Sequence, residues 1–148
     1  MKLKWLVIIG AFLTGFLFLS LNMLYNSGPP KPYIVVGDDE VPATEGSYCW
    51  DSGASSKCED KVFRDAFEMA AQHEPTSVRE GEEIEVKLKP FPDEFQLVQW
   101  KEGGERKQVV VKDGNIYAPE QPGLYVFQIH AEWEQGDATY AFSVKVSS

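Results

Sequence analysis

Ligating and nucleophilic side chains are scarce in this chain. Its 148 residues include only two histidines and two cysteines. His73 and His130 lie far apart, and the HExxH, CxxC and EF-hand patterns are all missing. Without those spacings the common zinc and calcium frames have nothing to build on. Asp38, Asp39 and Glu40 offer hard oxygen ligands, but three adjacent acids without supporting spacing read as a solvated turn. There is no Gly-x-Ser-x-Gly elbow and no Ser-x-x-Lys, and Gly103-Gly104 lacks the lysine and the helix of a phosphate loop. Carboxylates are plentiful, but a hydrolytic pair needs a set separation across one bond, which abundance does not supply. The expectation is a protein that is not an enzyme and carries no metal or cofactor.

Positive charge is also in short supply. Lys and Arg total 14 against 23 Asp and Glu, for a net charge of −9. Lys2 and Lys4 precede the first acid, so every acid lies beyond residue 25. An acidic body repels phosphate backbones, which argues against a nucleic-acid partner. Much of this charge serves solubility.

Charge is absent altogether from Trp5 to Tyr25. As a helix at ~1.5 Å per residue this run would measure about 31 Å, enough to span a bilayer. With Lys2 and Lys4 before it, residues 1–4 are expected as a cytoplasmic tail, 5–25 as a transmembrane anchor and the body as extracytoplasmic. A cleaved signal segment, for example at Leu19-Ser20-Leu21, is the alternative, and it would release a secreted protein. Pro29, Pro30 and Pro32 make 26–32 a Pro-rich, semi-rigid linker. Residues 33–148 then form one domain with one core.

Within that domain Cys49 and Cys58 are expected to form one local disulfide, as an even pair does in an oxidising compartment. Tyr33-Ile-Val-Val36 reads as a short strand, and Val41 to Trp50 as a second extended piece. Asp51 to Lys57 reads as a polar loop. From Glu59 to His73, apolar residues at spacings of three and four predict the domain's one helix, with Asp60 as N-cap and Pro75 as the stop. Beyond residue 82 the period becomes two. Ile84, Val86 and Leu88 share a face, Phe95–Trp100 and Lys107–Val111 are strands, and Asp113-Gly114 marks a hairpin. Tyr125 to Trp133 and Thr139 to Val146 alternate around Gln135-Gly136-Asp137, which predicts a long hairpin with one buried face and Trp133 in the core.

Seven or eight short strands between turn signals predict an all-β chain, an antiparallel β-sandwich with one short helix. Pro122-Gly123-x-Tyr125 resembles the tyrosine corner of immunoglobulin-like domains, although Phe127 stands where antibody domains have a cysteine. Gly46-Ser-Tyr-Cys-Trp50 with Cys58, Gly123-x-Tyr125, and Trp133 through Gly136 to Tyr140-x-Phe142 resemble a wider group. It consists of uncharacterised membrane-anchored or secreted immunoglobulin-like proteins of Gram-positive bacteria. The resemblance covers most of residues 33–147. It implies fold and location and brings no activity with it.

One surface region stands out. Tyr48 and Trp50 flank Cys49, and the chain runs through Asp51 and Lys57 toward Phe63 on the predicted helix. Read functionally, this is a rigid aromatic patch on a stapled loop, suited to a protein or a sugar. Read structurally, the aromatics cover the disulfide and plug one end of the fold. The functional expectation is a membrane-tethered extracytoplasmic module that binds an envelope protein or glycan through the disulfide loop and helix. The alternative is a secreted inhibitor or regulator of an envelope enzyme.

Overall fold

Alternation through most of residues 123–147 favours a long antiparallel hairpin with one face turned to the core. The computed structural model describes residues 8–17, 28–53 and 55–147 and contains that hairpin. Strands β10 (Gly123–Trp133) and β11 (Gly136–Ser147) pair along their whole length, from Gly123 opposite Val146 to Trp133 opposite Gly136. Phe127 and Phe142 are opposite one another, and their rings stack with centroids 5.1 Å apart. Both are fully buried, as are Ile129, Tyr140 and Val144. At roughly 1.5–3 kcal/mol for each fully buried large apolar side chain, these residues supply a major part of the driving force for folding.

Around the hairpin the chain builds two sheets. The earlier elements are β1 (Tyr33–Val36), β2 (Asp39–Glu40), β3 (Thr44–Asp51), β4 (Ser56–Glu59) and β5 (Thr76–Arg79). They are followed by β6 (Glu83–Lys87), β7 (Glu94–Lys101), β8 (Arg106–Val109) and β9 (Asn115–Tyr117). The larger sheet runs β4-β3-β11-β10-β7-β8, with β5 also paired to β11; the smaller runs β2-β1-β6-β9. Ile34, Ile84 and Ile116 from the smaller sheet join Leu97, Phe127 and Phe142 from the larger in one core cluster. The outer face of the larger sheet is partly covered by helix α2 (Ala66–Ala70), whose Ala66, Met69 and Ala70 pack on Val126 and Ala141. Helix α1 covers residues 8–17.

Among the described residues, the expected immunoglobulin-like antiparallel sandwich with a transmembrane helix is corrected to a mostly β, two-sheet fold with two helical segments and one disulfide. Among the described residues no helix is long and apolar enough to cross a membrane. Residues 8–17 give about 15 Å of helix at ~1.5 Å per residue, against a hydrocarbon core of ~30 Å. The rest of the expected anchor, residues 5–7 and 18–25, lies outside the described residues, as do the expected tail 1–4 and the linker positions 26–27. The sheet is also not purely antiparallel. β3 pairs with β11 only as far as Ala141, and β5 takes the remaining edge in parallel, Thr76 opposite Val144 to Arg79 opposite Ser147. No periodicity in residues 76–79 announces that partner, because strand direction is set by how the chain returns from α2.

The predicted helix over 59–73 shrinks to α2 because its first part is held extended against β3. Lys61 N–H donates to Ser47 Oγ at 3.0 Å, and Ser47 Oγ donates to Asp60 Oδ1 at 3.1 Å. The N-cap is therefore Asp65, whose carboxylate accepts from Glu68 N–H at 2.9 Å. Other expectations are present as geometry. Tyr125 hydroxyl donates to the Gln121 carbonyl at 2.9 Å, and Asp113-Gly114 turns with both φ angles positive. Of the described linker residues, Pro30 accepts a 2.6 Å hydrogen bond from the Tyr140 hydroxyl.

Two glycines of the motifs quoted above have packing reasons. A Cβ on Gly46 would strike Met69 Cε and Thr139 Oγ1, so Gly46 lets α2 approach the sheet. A Cβ on Gly136 would overlap the Cys49 carbonyl, and Gly136 has φ +148°. Backbone cannot yield as a side-chain tip can. Gly136→Ala is therefore expected to lower stability by about 1–3 kcal/mol or more, read as a reduced urea midpoint with an unchanged m value. Gly53→Ala, where a Cβ meets nothing within 4 Å, is the contrasting variant and keeps only the backbone cost of its φ +79°.

Candidate functional site

The disulfide region is a hairpin and not a free loop. β3 and β4 pair with Cys49 opposite Cys58, Cα atoms 4.1 Å apart, and both cysteines are exposed on the outward side of the strands. Alternation turns the neighbours of Cys49 the other way. Tyr48 and Trp50 are both buried in the core cluster, Trp50 being 9% exposed. The Trp50 ring meets Trp133 edge-on at 5.5 Å, and Trp133 Nε1 donates to the Pro90 carbonyl at 3.0 Å. Phe63 is half-buried against the α2 cluster. Asp51 and Lys57 remain on the surface. The five residues of the anticipated patch are thus divided between core, helix packing and solvent.

The polar atoms here serve one another. Tyr48 hydroxyl donates to Glu59 Oε2 at 3.2 Å, Lys57 Nζ lies 3.0 Å from the same oxygen, and Lys57 Nζ sits 5.6 Å from the Tyr48 ring centroid. Lys61 pairs with Glu45 at 2.9 Å. Hydrogen bonds from Lys57 and then Tyr48 hold the Glu59 carboxyl below the usual carboxylate range. The lowered folded value means that this contribution is present at neutral pH and lost as pH falls through it. Glu59→Gln is expected to flatten the acid branch of the stability curve, measured by denaturation midpoints between neutral and acid pH. The flattening should diminish in high salt, since the pair is solvent-exposed.

A better-formed recess lies where the chain changes sheets. It leaves β6 and enters β7 through residues 88–93, and leaves β8 and enters β9 through residues 110–114. These two crossings hold the sheets apart around a cleft of about 810 Å³. Val86, Leu88, Val109 and Val111 give it apolar walls, and Phe91 and Phe95 form an aromatic side with centroids 5.8 Å apart. Phe91 is 62% and Val110 76% exposed, unusual for apolar side chains of this size. Lys87, Lys89 and Asp113 stand among the lining residues. Lys87 Nζ pairs with Glu85 at 2.6 Å.

Hydrogen bonds fix the backbone around the cleft. Pro90 is pinned by Trp133, Asp93 N–H donates to the Glu132 carbonyl at 2.8 Å, and Val86 N–H donates to the Gly114 carbonyl at 2.7 Å. A recess fixed in this way needs little reorganisation to accept a ligand. Sequence reasoning missed it because its walls come from residues 86–95 and 108–114, each of which reads as ordinary strand and turn. The one available signal was the apolar run Val109-Val110-Val111, too long for simple in-out alternation.

Among the described residues no group of three or more His, Cys, Asp or Glu could hold a metal ion. Comparison with known proteins finds no match to this chain, whether among family models, curated proteins or solved structures. The anticipated membrane-tethered module, with its membrane partner and single-pass location, is corrected by the lack of a spanning helix among the described residues.

The exposed disulfide ties edge strand β4 to β3. Replacing both cysteines by serine is expected to lower stability by roughly 2–3 kcal/mol, measured by urea unfolding. The shape of the cleft, which neither strand lines, should be unaffected.

Proposed function

We propose that this chain is a non-catalytic binding domain that receives an apolar group of its partner in the cleft between β6 and β8. The observation that carries the reading is the cleft itself, with Phe91 and Val110 left in water beside it. Exposed aromatic and branched side chains around a fixed recess are costly unless something covers them, and they are the usual anchors of recognition. The volume of about 810 Å³ is in the range of small-molecule and side-chain pockets. The paucity of histidine and the missing nucleophile motifs fit a binding role.

An anilinonaphthalene sulfonate dye, an apolar ring system with one negative charge, is a suitable probe for the folded 148-residue chain. It should bind at one site with enhanced fluorescence. Phe91→Ala and Val110→Asp, both at exposed positions, should each weaken it about tenfold, equivalent to ~1.4 kcal/mol, with unfolding midpoints little changed. Unaltered binding by both folded variants, or no binding by the parent chain, would exclude the cleft as the site.

A further inference from the structure

The cleft runs up to an open sheet edge. Among the described residues β8 pairs only with β7, and it ends the larger sheet. The ladder between them fixes which backbone groups are free. Lys101 N–H bonds to the Glu105 carbonyl at 2.8 Å, so the pairs Gln99–Lys107 and Leu97–Val109 also face each other with their peptide groups. By the same alternation Arg106 and Gln108 direct their N–H and C=O groups, and Val110 just past the strand its N–H, away from β7. Gln108 and Val110 also line the cleft. Outward-facing backbone groups therefore stand beside an apolar cleft, the two requirements for recognition of an extended peptide.

Charge selects among such peptides. The protein as a whole is acidic, with a net charge of −9. Along this edge, however, Arg106 and Lys107 are adjacent, Lys112 lies just past the end of β8, and Lys87 and Lys89 line the cleft together with Asp113. A second copy of β8 laid antiparallel on the first would bring Arg106 and Lys107 near their own kind, which costs stability. A strand alternating acidic and apolar residues would instead turn its apolar side chains to the cleft and its carboxylates to the opposite face, where Arg106 stands 5.5 Å over the Trp100 ring. We infer that β8 is a docking edge, to which a partner protein adds an extended segment of alternating acidic and apolar residues as an extra strand of the larger sheet. This rests on the proposed role of the cleft and specifies its ligand.

The probes are peptides of about seven residues, the length of a typical strand. One alternates Glu with Val and Phe, a second replaces each Glu by Lys, and a third is the Glu peptide N-methylated at every other amide. The protein is the full 148-residue chain, and the readouts are peptide affinity and amide hydrogen exchange. The Glu peptide should bind and slow exchange at Arg106, Gln108 and Val110, while the Lys and N-methylated peptides bind at least tenfold more weakly. Gln108→Pro removes one outward N–H at an edge where proline is tolerated. It should weaken the Glu peptide to a similar extent, with an unchanged far-ultraviolet circular dichroism spectrum reporting that the variant folds. If that variant does not fold, the N-methylated peptide decides the matter alone.

Equal affinity of the N-methylated peptide, or binding without protection at those three amides, overturns strand addition but leaves the cleft reading intact. Binding of neither peptide nor dye overturns both. Self-association of the chain that disappears in Gln108→Pro overturns the partner in favour of a second copy.

Discussion

Register between β10 and β11 is the constraint on which everything else rests. Their pairing from Gly123–Val146 to Trp133–Gly136 puts Phe127, Ile129, Tyr140, Phe142 and Val144 in dry positions. A slip of one residue would exchange that set for Gln128, His130, Thr139 and Lys145, so the register is defended by the whole core. Gly136 is part of the same constraint. It lets the Cys49 backbone come against the hairpin's end, which sets β3 in place and, through Cys49–Cys58, β4 beside it. Tyr125 closes the other end by bonding the Gln121 carbonyl.

The two sheets are unequal, and their inequality explains where the surface is incomplete. The larger sheet has more strands than the smaller can face, so its outer side recruits α2 and its β8 edge runs on beside the crossings at 88–93 and 110–114. Met69 reaches the sheet because Gly46 offers no side chain in its way. Nothing similar covers Phe91 and Val110. The disulfide hairpin is the reverse case. Its conspicuous aromatics, Tyr48 and Trp50, belong to the core, while its exposed polar groups are occupied with Glu59, Lys61 and one another.

Much of the architecture could be read without coordinates because it is written in short-range chemistry. Asp113-Gly114 makes a tight hairpin since both residues accept positive φ, and Pro122-Gly123-x-Tyr125 forms its corner with a carbonyl four residues away. The helix was over-extended because the spacing of Val62, Phe63 and Ala66 is compatible with a helix, whereas Ser47 and Asp60, distant in sequence, hold residues 60–61 on β3. Tyr48 and Trp50 turn inward for a related reason. Two aromatics flanking a cysteine lie on the same side of a strand, and sequence alone does not say which side faces the core.

The sequence by itself determined a mostly β domain, its long terminal hairpin, the partnership of its two cysteines and an acidic body poor in ligating residues. These follow from period-two alternation, from turn residues and from composition, all local or additive properties. The lateral order of strands, the parallel placement of β5, the short span of α2 and the cleft where the chain passes between sheets come instead from the packed fold. Those depend on which elements compete for the same edge and the same buried face, and that competition is settled between residues far apart in the chain.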